Sequence, residues 1–445
     1  MNEAEVLNSI PMRVMAFHKE SQGKTRSVVF TREITPELTN ARTFGEVYVA
    51  LVKMKMNLLA LGIFEDVELT MEPLDIPSQD DINVFVRVKA KEARPLRIGI
   101  QGSVTTTGND AGIEGFVDYV NPLGLADSLS TRIQYDVLRR NTYYNIDYRL
   151  PKLIGGYSLS VNYLKESRNL LKESSVNVFT EGLTAQLASP ANRFALGCSL
   201  TWRDMAPATD LDVERVTATH CSRSMLRECR PSLKSSLFAQ LRFDSRDNPV
   251  VPTRGLFARC RLSLSGLLGD VRNCRLDAAL AAALPLSPSF GETPGLALHL
   301  SSYGGFIRNF GRRPTRYFDR FFLSGEHIRG FETAEIGPRS RPEDGGKPEG
   351  DVLGGDRCLA VGAAVSFPVV LNTSGIRGQV FWNMGSIWNR NDHLKKAWRS
   401  ALESYGVGLM IPFGSVGRLE LNYTFSQKRF SFLFCAMWGV YCYQW

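Results

Sequence analysis

The chain lacks any run of about 20 uncharged apolar residues, which is the length that a helix needs to cross a bilayer. The nearest candidate, residues 430–445, is shorter and rich in aromatic side chains. This absence argues against a helical membrane protein. The 445 residues are 44% hydrophobic, with a mean hydropathy of −0.13 and a net charge of +8. This composition excludes a disordered chain and is typical of a basic soluble protein.

The sequence also has few of the features that indicate chemistry. Its eight cysteines show no C-x-x-C spacing, so neither a disulfide scaffold nor a zinc site is indicated. Cys221 and Cys229 could pair in an oxidising compartment, or could be free thiols. The five histidines are isolated, and there is no G-x-S-x-G or P-loop pattern. We therefore expect no metal, no cofactor and no enzyme activity.

Two further absences concern location and partners. The first residues contain no basic region followed by an apolar one, so we expect no secretory signal peptide. The basic side chains are spread along the chain rather than clustered. We therefore expect no nucleic-acid partner.

Residues 1–93 are predicted to form a small α/β domain of order β-α-α-β-β. A short strand and a short helix precede a longer helix with apolar residues at helical spacing. Thr43 and Glu46 form a capping box at the start of that helix, and Gly62 stands where a helix ends. Two strands with alternating apolar residues follow.

Residues 94–445 show a period of two, which predicts antiparallel strands. This alternation alone also fits a soluble sheet with one wet face. However, many strands have about nine or more residues, aromatic side chains lie at the ends of the apolar rows, and short turns alternate with long polar loops. These three features are typical of a membrane barrel. We predict a transmembrane β-barrel of about 16 antiparallel strands.

Three segments carry a family resemblance. They are FDSRDNPVVPTRG at 243–255, DRFFLSGEHIRGFETAEIGPRS at 319–340 and VFWNMGSIWN at 380–389. They resemble the outer-membrane insertase superfamily, whose members combine N-terminal POTRA modules with a 16-stranded barrel. The N-terminal domain resembles one POTRA module. One module without a signal peptide favours the mitochondrial branch, the barrel cores of the sorting and assembly machinery (SAM).

The resemblance implies a function without chemical catalysis. Such a protein would insert and fold β-barrel precursor proteins in the mitochondrial outer membrane, with its N-terminal domain toward the intermembrane space. The implied partners are those precursors, other SAM-type subunits and membrane lipids. The alternatives are a polypeptide-transporting outer-membrane barrel, related to secretion or plastid import proteins, and a soluble β-rich binding protein.

The resemblance also implies a loop, residues 325–354, that folds back into the barrel lumen. Its motif is Ile328, Arg329, Gly330 and Phe331. A guanidinium buried there needs acceptors. Bacterial relatives supply a carboxylate from an F-x-D-x-G pattern, whereas residues 381–385 of this chain read FWNMG. The candidate partners of the arginine are therefore Asn383 and Glu420. The alternative is an arginine in a solvated loop.

A lateral seam between the first and last barrel strands is a second implied feature. The first strand carries the candidate seam residues, which are Arg97, Ile98, Gly99, Ile100 and Gly102. Its glycines could weaken strand pairing, or could only relieve crowding. The last strand is expected at 430–443. Around Gly439, Met437 and Gln444 depart from the β-signal that ends the last strand in this family.

The third candidate site is the strand-end motif Asp244, Arg246 and Asp247. Two acids beside a base could indicate acid–base catalysis. No histidine or nucleophile lies nearby in the sequence, so we expect a salt-bridge lattice at the end of a strand instead.

Overall fold

A computed structural model of the chain describes thirteen segments. They are residues 10–20, 23–33, 36–73, 82–105, 110–137, 140–208, 221–288, 295–311, 314–332, 335–369, 375–392, 394–413 and 417–436. Within these segments, no helix is both long enough and apolar enough to cross a membrane.

The N-terminal part contains three strands and three helices. They are β1 (Met12–Glu20), α1 (Ser27–Glu33), α2 (Pro36–Asn40), α3 (Phe44–Ala60), β2 (Phe64–Pro73) and β3 (Ile82–Glu92). In the sheet, β3 lies between the other two strands and pairs parallel to β1 and antiparallel to β2. The predicted order β-α-α-β-β is correct except for α2. That short helix begins at Pro36, and proline is well tolerated in the first turn of a helix.

Local sequence signals explain the longest helix of this part. The Thr43 hydroxyl accepts a hydrogen bond from the Glu46 amide at 3.4 Å, and Glu46 accepts one from the Arg42 amide at 2.8 Å. Gly62 follows the helix with a φ of 70°, a conformation that glycine adopts without strain. The buried face of α3 packs in an apolar core with β2 and β3. Members of that core include Val47, Leu51, Met54, Leu58, Val67, Val84, Val86 and Val88.

Residues 96–436 form a second sheet of 16 strands, in which each strand pairs with its neighbours in sequence. The strands are β4 (Leu96–Thr105), β5 (Asp110–Val120), β6 (Ser128–Asp136), β7 (Thr142–Leu150), β8 (Ser158–Leu170), β9 (Val176–Ala188), β10 (Phe194–Pro207), β11 (Ser232–Asp244), β12 (Gly255–Gly269), β13 (Asn273–Pro285), β14 (Ala297–Asn309), β15 (Arg357–Pro368), β16 (Arg377–Trp388), β17 (Leu402–Phe413), β18 (Gly417–Thr424) and β19 (Arg429–Ala436). Three short helices lie between them: α4 (Leu171–Ser174), α5 (Arg223–Leu226) and α6 (Leu394–Arg399). The predicted number of strands is confirmed.

The two faces of this sheet have opposite polarity. On β18, the side chains of Arg418, Glu420, Asn422 and Thr424 are all buried. Large apolar side chains elsewhere are exposed on the other face, for example Leu241 at 58%, Leu280 at 51% and Val407 at 41%. A soluble sheet buries its apolar face, so this inverted distribution is that of a transmembrane β-barrel.

Two compact units result from the contacts along the chain. The first comprises residues 1–100, 115–132 and 145–162, and the second comprises the rest. The predicted domain boundary after residue 93 stays a prediction.

Candidate functional site: a loop arginine on the polar face of the sheet

The longest connection of the described sheet joins β14 to β15 and covers residues 310–356. It forms isolated bridges within itself, between Phe321 and Gly355, Leu323 and Ile336, and Arg339 and Val352. Its apolar residues, including Leu323 and Ile336, pack in one buried cluster with side chains from β14, β15 and β16. The connection is therefore folded against the sheet. The position of the loop 325–354 in the barrel lumen stays a prediction.

Arg329 lies within this connection and contacts β16 and β18, with its side chain 11% exposed. Its Nε donates to Glu420 Oε2 at 2.9 Å, and its Nη2 donates to Glu420 Oε1 at 3.4 Å. Its Nη1 donates to Asn383 Oδ1 at 3.4 Å, and the guanidinium stands 5.3 Å from the centre of the Phe381 ring. Both candidate partners thus contact the arginine. The carboxylate comes from β18 rather than from the FWNMG pattern on β16.

Glu420 is fully buried and is shared by several donors. Arg418, two residues along β18, donates to Glu420 Oε1 from Nε at 2.9 Å and forms an ion pair with it from Nη2 at 2.6 Å. The amides of Gln379 and Asn422 each donate to Oε2 at 3.4 Å. We call these five side chains the Glu420 cluster. Two guanidinium groups around one carboxylate satisfy the charge that burial would otherwise leave unpaired.

The residues beside Arg329 fit the sheet closely. Ile328 is fully buried, and a Cβ at Gly385 would lie 2.0 Å from its Cδ1. Gly330 has a φ of 88°, and a Cβ there would lie 2.5 Å from Thr424 Oγ1. Glycine is therefore required on both sides of the contact. Phe331 is buried in the same apolar cluster as Ile328. The contacts of the four motif residues thus fix the loop at one position against β16 and β18.

A second ion-pair cluster fixes the start of the same connection. Asp319 is almost fully buried and accepts from Arg203 on β10 at 2.9 Å and from Lys234 on β11 at 2.5 Å. Burial raises the pKa of Asp319, but these two cations prevail and hold it well below its usual range. The Arg275 guanidinium on β13 donates to the Asp319 carbonyl at 3.1 Å. No motif in the sequence indicates this cluster, and only the polar position of Arg203 on its strand points to it.

The strand-end motif lies at the end of β11 and the start of the connection 245–254 that leads to β12. Arg246 donates to both oxygens of Asp244 at 2.8 Å. Asp247 accepts from the Thr253 hydroxyl at 2.6 Å and from the Thr253 amide at 3.0 Å. Burial raises the pKa of Asp247, but the hydrogen bonds from Thr253 and the neighbouring amides outweigh burial, so the pKa lies below its usual value. Within the motif, Arg246 pairs with Asp244, whereas Asp247 is held by hydrogen bonds from Thr253 and the Arg254 amide.

The first strand of the barrel is β4, at one end of the sheet order, and β19 is at the other end. Ile98 and Ile100 are exposed at 69% and 80%. A Cβ at Gly99 would lie 2.3 Å from the end of the Phe116 ring, so this glycine gives room to an aromatic ring. Arg97 is exposed, and the backbone of Gly102 belongs to the same strand. β19 begins at Arg429, close to the predicted start.

Other predicted features have simpler outcomes. Cys221 and Cys229 are free thiols, and burial raises the pKa of Cys221 to about 12. In the part of the chain that the structure describes, no group of three or more His, Cys, Asp or Glu side chains could hold a metal ion. The β-signal positions Met437, Gly439 and Gln444 lie outside the described residues.

A small α/β domain, a 16-stranded membrane barrel and a loop arginine paired on the polar face together define a class, the outer-membrane barrels with N-terminal POTRA-type modules. The comparison with known families agrees. The Omp85 superfamily domain matches residues 121–432, which is more than half of the chain. The chain belongs to the Omp85 superfamily.

Within this superfamily, the chain is similar to individual curated proteins. The chain is 27% identical over 440 residues to the sorting and assembly machinery component 50 homolog B of Xenopus laevis, covering 94% of this chain and 87% of the relative. It is 26% identical over 437 residues to a SAM50-like protein of Schizosaccharomyces pombe, covering 93% and 85%. These relatives confirm the resemblance to the SAM barrel cores.

Among solved structures, the chain resembles the crystal structure of BamA from Haemophilus ducreyi lacking POTRA domains 1–3. The TM-score is 0.73 at 18% identity, and the match covers 95% of this chain and 84% of that one. At this identity the match supports the fold alone.

Proposed function

We propose that this protein inserts and folds β-barrel precursor proteins in the mitochondrial outer membrane. The observation that carries the proposal is the similarity over 94% of the chain to a sorting and assembly machinery component 50 homologue. The inverted polarity of the 16-stranded sheet supports a protein that is itself embedded in the bilayer. Its partners are then the precursors, other SAM-type subunits and membrane lipids.

The physical task of such a protein is to supply hydrogen bonds. A precursor strand cannot enter hydrocarbon with its backbone unpaired, because each unsatisfied polar group costs several kcal/mol. A strand at the end of a sheet order can pair with an incoming strand by β-augmentation. In this chain the two end strands are β4 and β19. We propose that they form the lateral seam at which precursor strands are templated.

The exposed side chains of β4 fit a template. Leu96, Ile98 and Ile100 are exposed and apolar on alternate positions, as expected for side chains that face lipid on a membrane strand. Gly99 lies under the Phe116 ring, which favours a packing role for this glycine. The role of Gly102 in weakening the pairing of β4 is part of the proposal.

The loop motif has a supporting role in this proposal. Arg329 ties the connection 310–356 to β16 and β18 through Asn383 and Glu420. We propose that this anchor keeps the loop inside the barrel and stabilises the assembled state. The N-terminal domain is proposed to face the intermembrane space, where precursors arrive.

Depletion of the protein tests the function. If the proposal holds, newly imported outer-membrane barrels fail to reach their folded, protease-resistant form when the protein is removed. Intact barrel biogenesis would overturn it, and loss of one cargo's transport alone would favour a polypeptide-transporting barrel.

Crosslinking tests the seam. A photoreactive side chain introduced at Ile98 or Ile100 should crosslink to the last strand of an arrested precursor. The same group at Leu280, which is exposed on β13, is the matched control. Equal crosslinking at both positions would contradict a seam at β4.

A further inference from the structure

The turn between β11 and β12 makes a contact that its own closure does not require. The Val250 carbonyl accepts a hydrogen bond from Arg418 Nη1 at 2.7 Å. Val250 and Arg418 are both 3% exposed. Since Arg418 also holds Glu420, one guanidinium joins the turn to the carboxylate that binds Arg329.

This turn is linked to the loop through a series of buried contacts. We infer that residues 245–254, hereafter the Asn248 turn, hold the connection 310–356 in place without touching Arg329. The chain of contacts runs from the Val250 carbonyl to Arg418, from Arg418 to Glu420, and from Glu420 to Arg329. Arg418 is then a positioning residue.

The side chains of the turn fix the direction of the Val250 carbonyl. Asn248 Oδ1 accepts from the Val250 amide at 2.8 Å and from the Val251 amide at 3.3 Å, which is an Asx-type turn. Asp247 fixes the other arm through Thr253 and Arg254. Gly255 closes the turn with a φ of 110°, and a Cβ there would lie 2.4 Å from the Ser245 carbonyl oxygen. The orientation of the Val250 peptide is thus set by groups on both sides.

The position of the Glu420 carboxylate depends on all of its donors. Glu420 has donors on both oxygens, and a buried carboxylate keeps one geometry only while its partners do. If the Val250 carbonyl moves, Arg418 loses a buried acceptor, and its ion pair with Glu420 must rearrange. The Arg329 contact weakens as a result.

Amide hydrogen exchange on the full chain in detergent micelles tests the inference, with the peptide over residues 325–332 as readout. Asn248→Ala removes the acceptor for the Val250 amide, whereas Asn248→Asp keeps one. We expect Asn248→Ala to accelerate exchange of the loop peptide roughly fivefold, the effect of losing one net hydrogen bond. Asn248→Asp should restore the wild-type rate.

A control and a double substitution separate this role from general damage. Ser189→Ala removes a comparable bond, from the Phe194 amide to Ser189 Oγ at 3.0 Å, in the turn between β9 and β10; it should leave the loop peptide unchanged. In a Glu420→Gln background, Asn248→Ala should add less than it does in the wild type, because the ion pairs through the carboxylate are lost.

Two results would overturn the inference. One is unchanged loop exchange in Asn248→Ala, and the other is full additivity of that substitution with Glu420→Gln. The measurement uses the folded protein without any precursor, so it is independent of the proposed insertase function.

Discussion

The N-terminal sheet and the 16-stranded sheet bury opposite kinds of side chain. The first encloses Val47, Met54, Leu58 and Val86 in its apolar core. The second buries Arg418 and Glu420 and exposes leucines. The same preference for burying apolar surface gives both results if water surrounds the first sheet and lipid surrounds the second. The contrast therefore identifies the solvent of each part.

The largest expected effect comes from breaking a buried charge in the second sheet. Glu420→Ala leaves Arg329 and Arg418 without their shared carboxylate, and removing one member of a buried ion pair costs about 3–5 kcal/mol. The urea concentration that unfolds the barrel in lipid vesicles should fall strongly, as measured by the electrophoretic shift of folded barrels. Glu420→Gln keeps one acceptor oxygen but loses the charge, so its urea midpoint should fall less than that of Glu420→Ala. An unchanged midpoint for Glu420→Ala would show that the cluster is not a buried charge system.

The sequence predicts the contacts of this cluster between residues that are close in the chain, but not those between distant residues. The alternation of Arg418, Glu420 and Asn422 with apolar residues is local, so a period of two reveals their common face. The pair of Arg329 with Glu420 was available only through the family resemblance.

The contacts of Arg418 with Val250 and of Asp319 with Arg203 join residues 168 and 116 positions apart. They depend on the register summed over many strands, and no local signal encodes that sum. The short helix α2 was missed for another reason: five residues are too few to show a helical period.

The second prediction concerns the apolar core of the N-terminal part. Leu58→Ala removes a fully buried side chain from that core, and such a change costs about 2–5 kcal/mol because a cavity remains. Hydrogen exchange of peptides from α3 and β3 should accelerate by at least tenfold. Peptides from β12 in the same sample are the internal control and should not change. Acceleration there as well would mean that the two parts unfold together.

The third prediction tests the two solvents directly with the same substitution. Leu262 lies in the middle of β12 and is 40% exposed, and Val49 on α3 is 68% exposed. Leu262→Arg should cost about 2–4 kcal/mol in lipid vesicles, because it places a charge in hydrocarbon. Val49→Arg should change stability by less than about 0.5 kcal/mol, because its side chain faces water. Urea titration of both variants in the same vesicles measures the difference, and equal effects would refute the assignment of solvents.

The smallest expected effect is a pH dependence confined to the N-terminal part. At the end of β3, Glu92 accepts hydrogen bonds from the Thr25 amide at 2.7 Å and from the Lys24 amide at 3.1 Å. Burial raises the pKa of Glu92, but the bonds from the Thr25 hydroxyl and from these amides outweigh it, so the pKa lies below the ordinary value of 4.5. A lowered pKa in the folded state means that this stabilisation is complete above about pH 4.5 and is lost as the pH falls further.

Hydrogen exchange of the segment 23–27, corrected for the intrinsic effect of pH, should therefore accelerate below about pH 4.5. Glu92→Gln keeps an acceptor oxygen but cannot titrate, so its protection should be weaker at neutral pH and should not change as the pH falls. The Glu420 carboxylate is fully buried between two guanidinium groups, so the loop peptide 325–332 should show no comparable acceleration in the same range. Loss of protection in both peptides over the same pH range would contradict this prediction. The contrast between the two sheets would then not extend to their carboxylates.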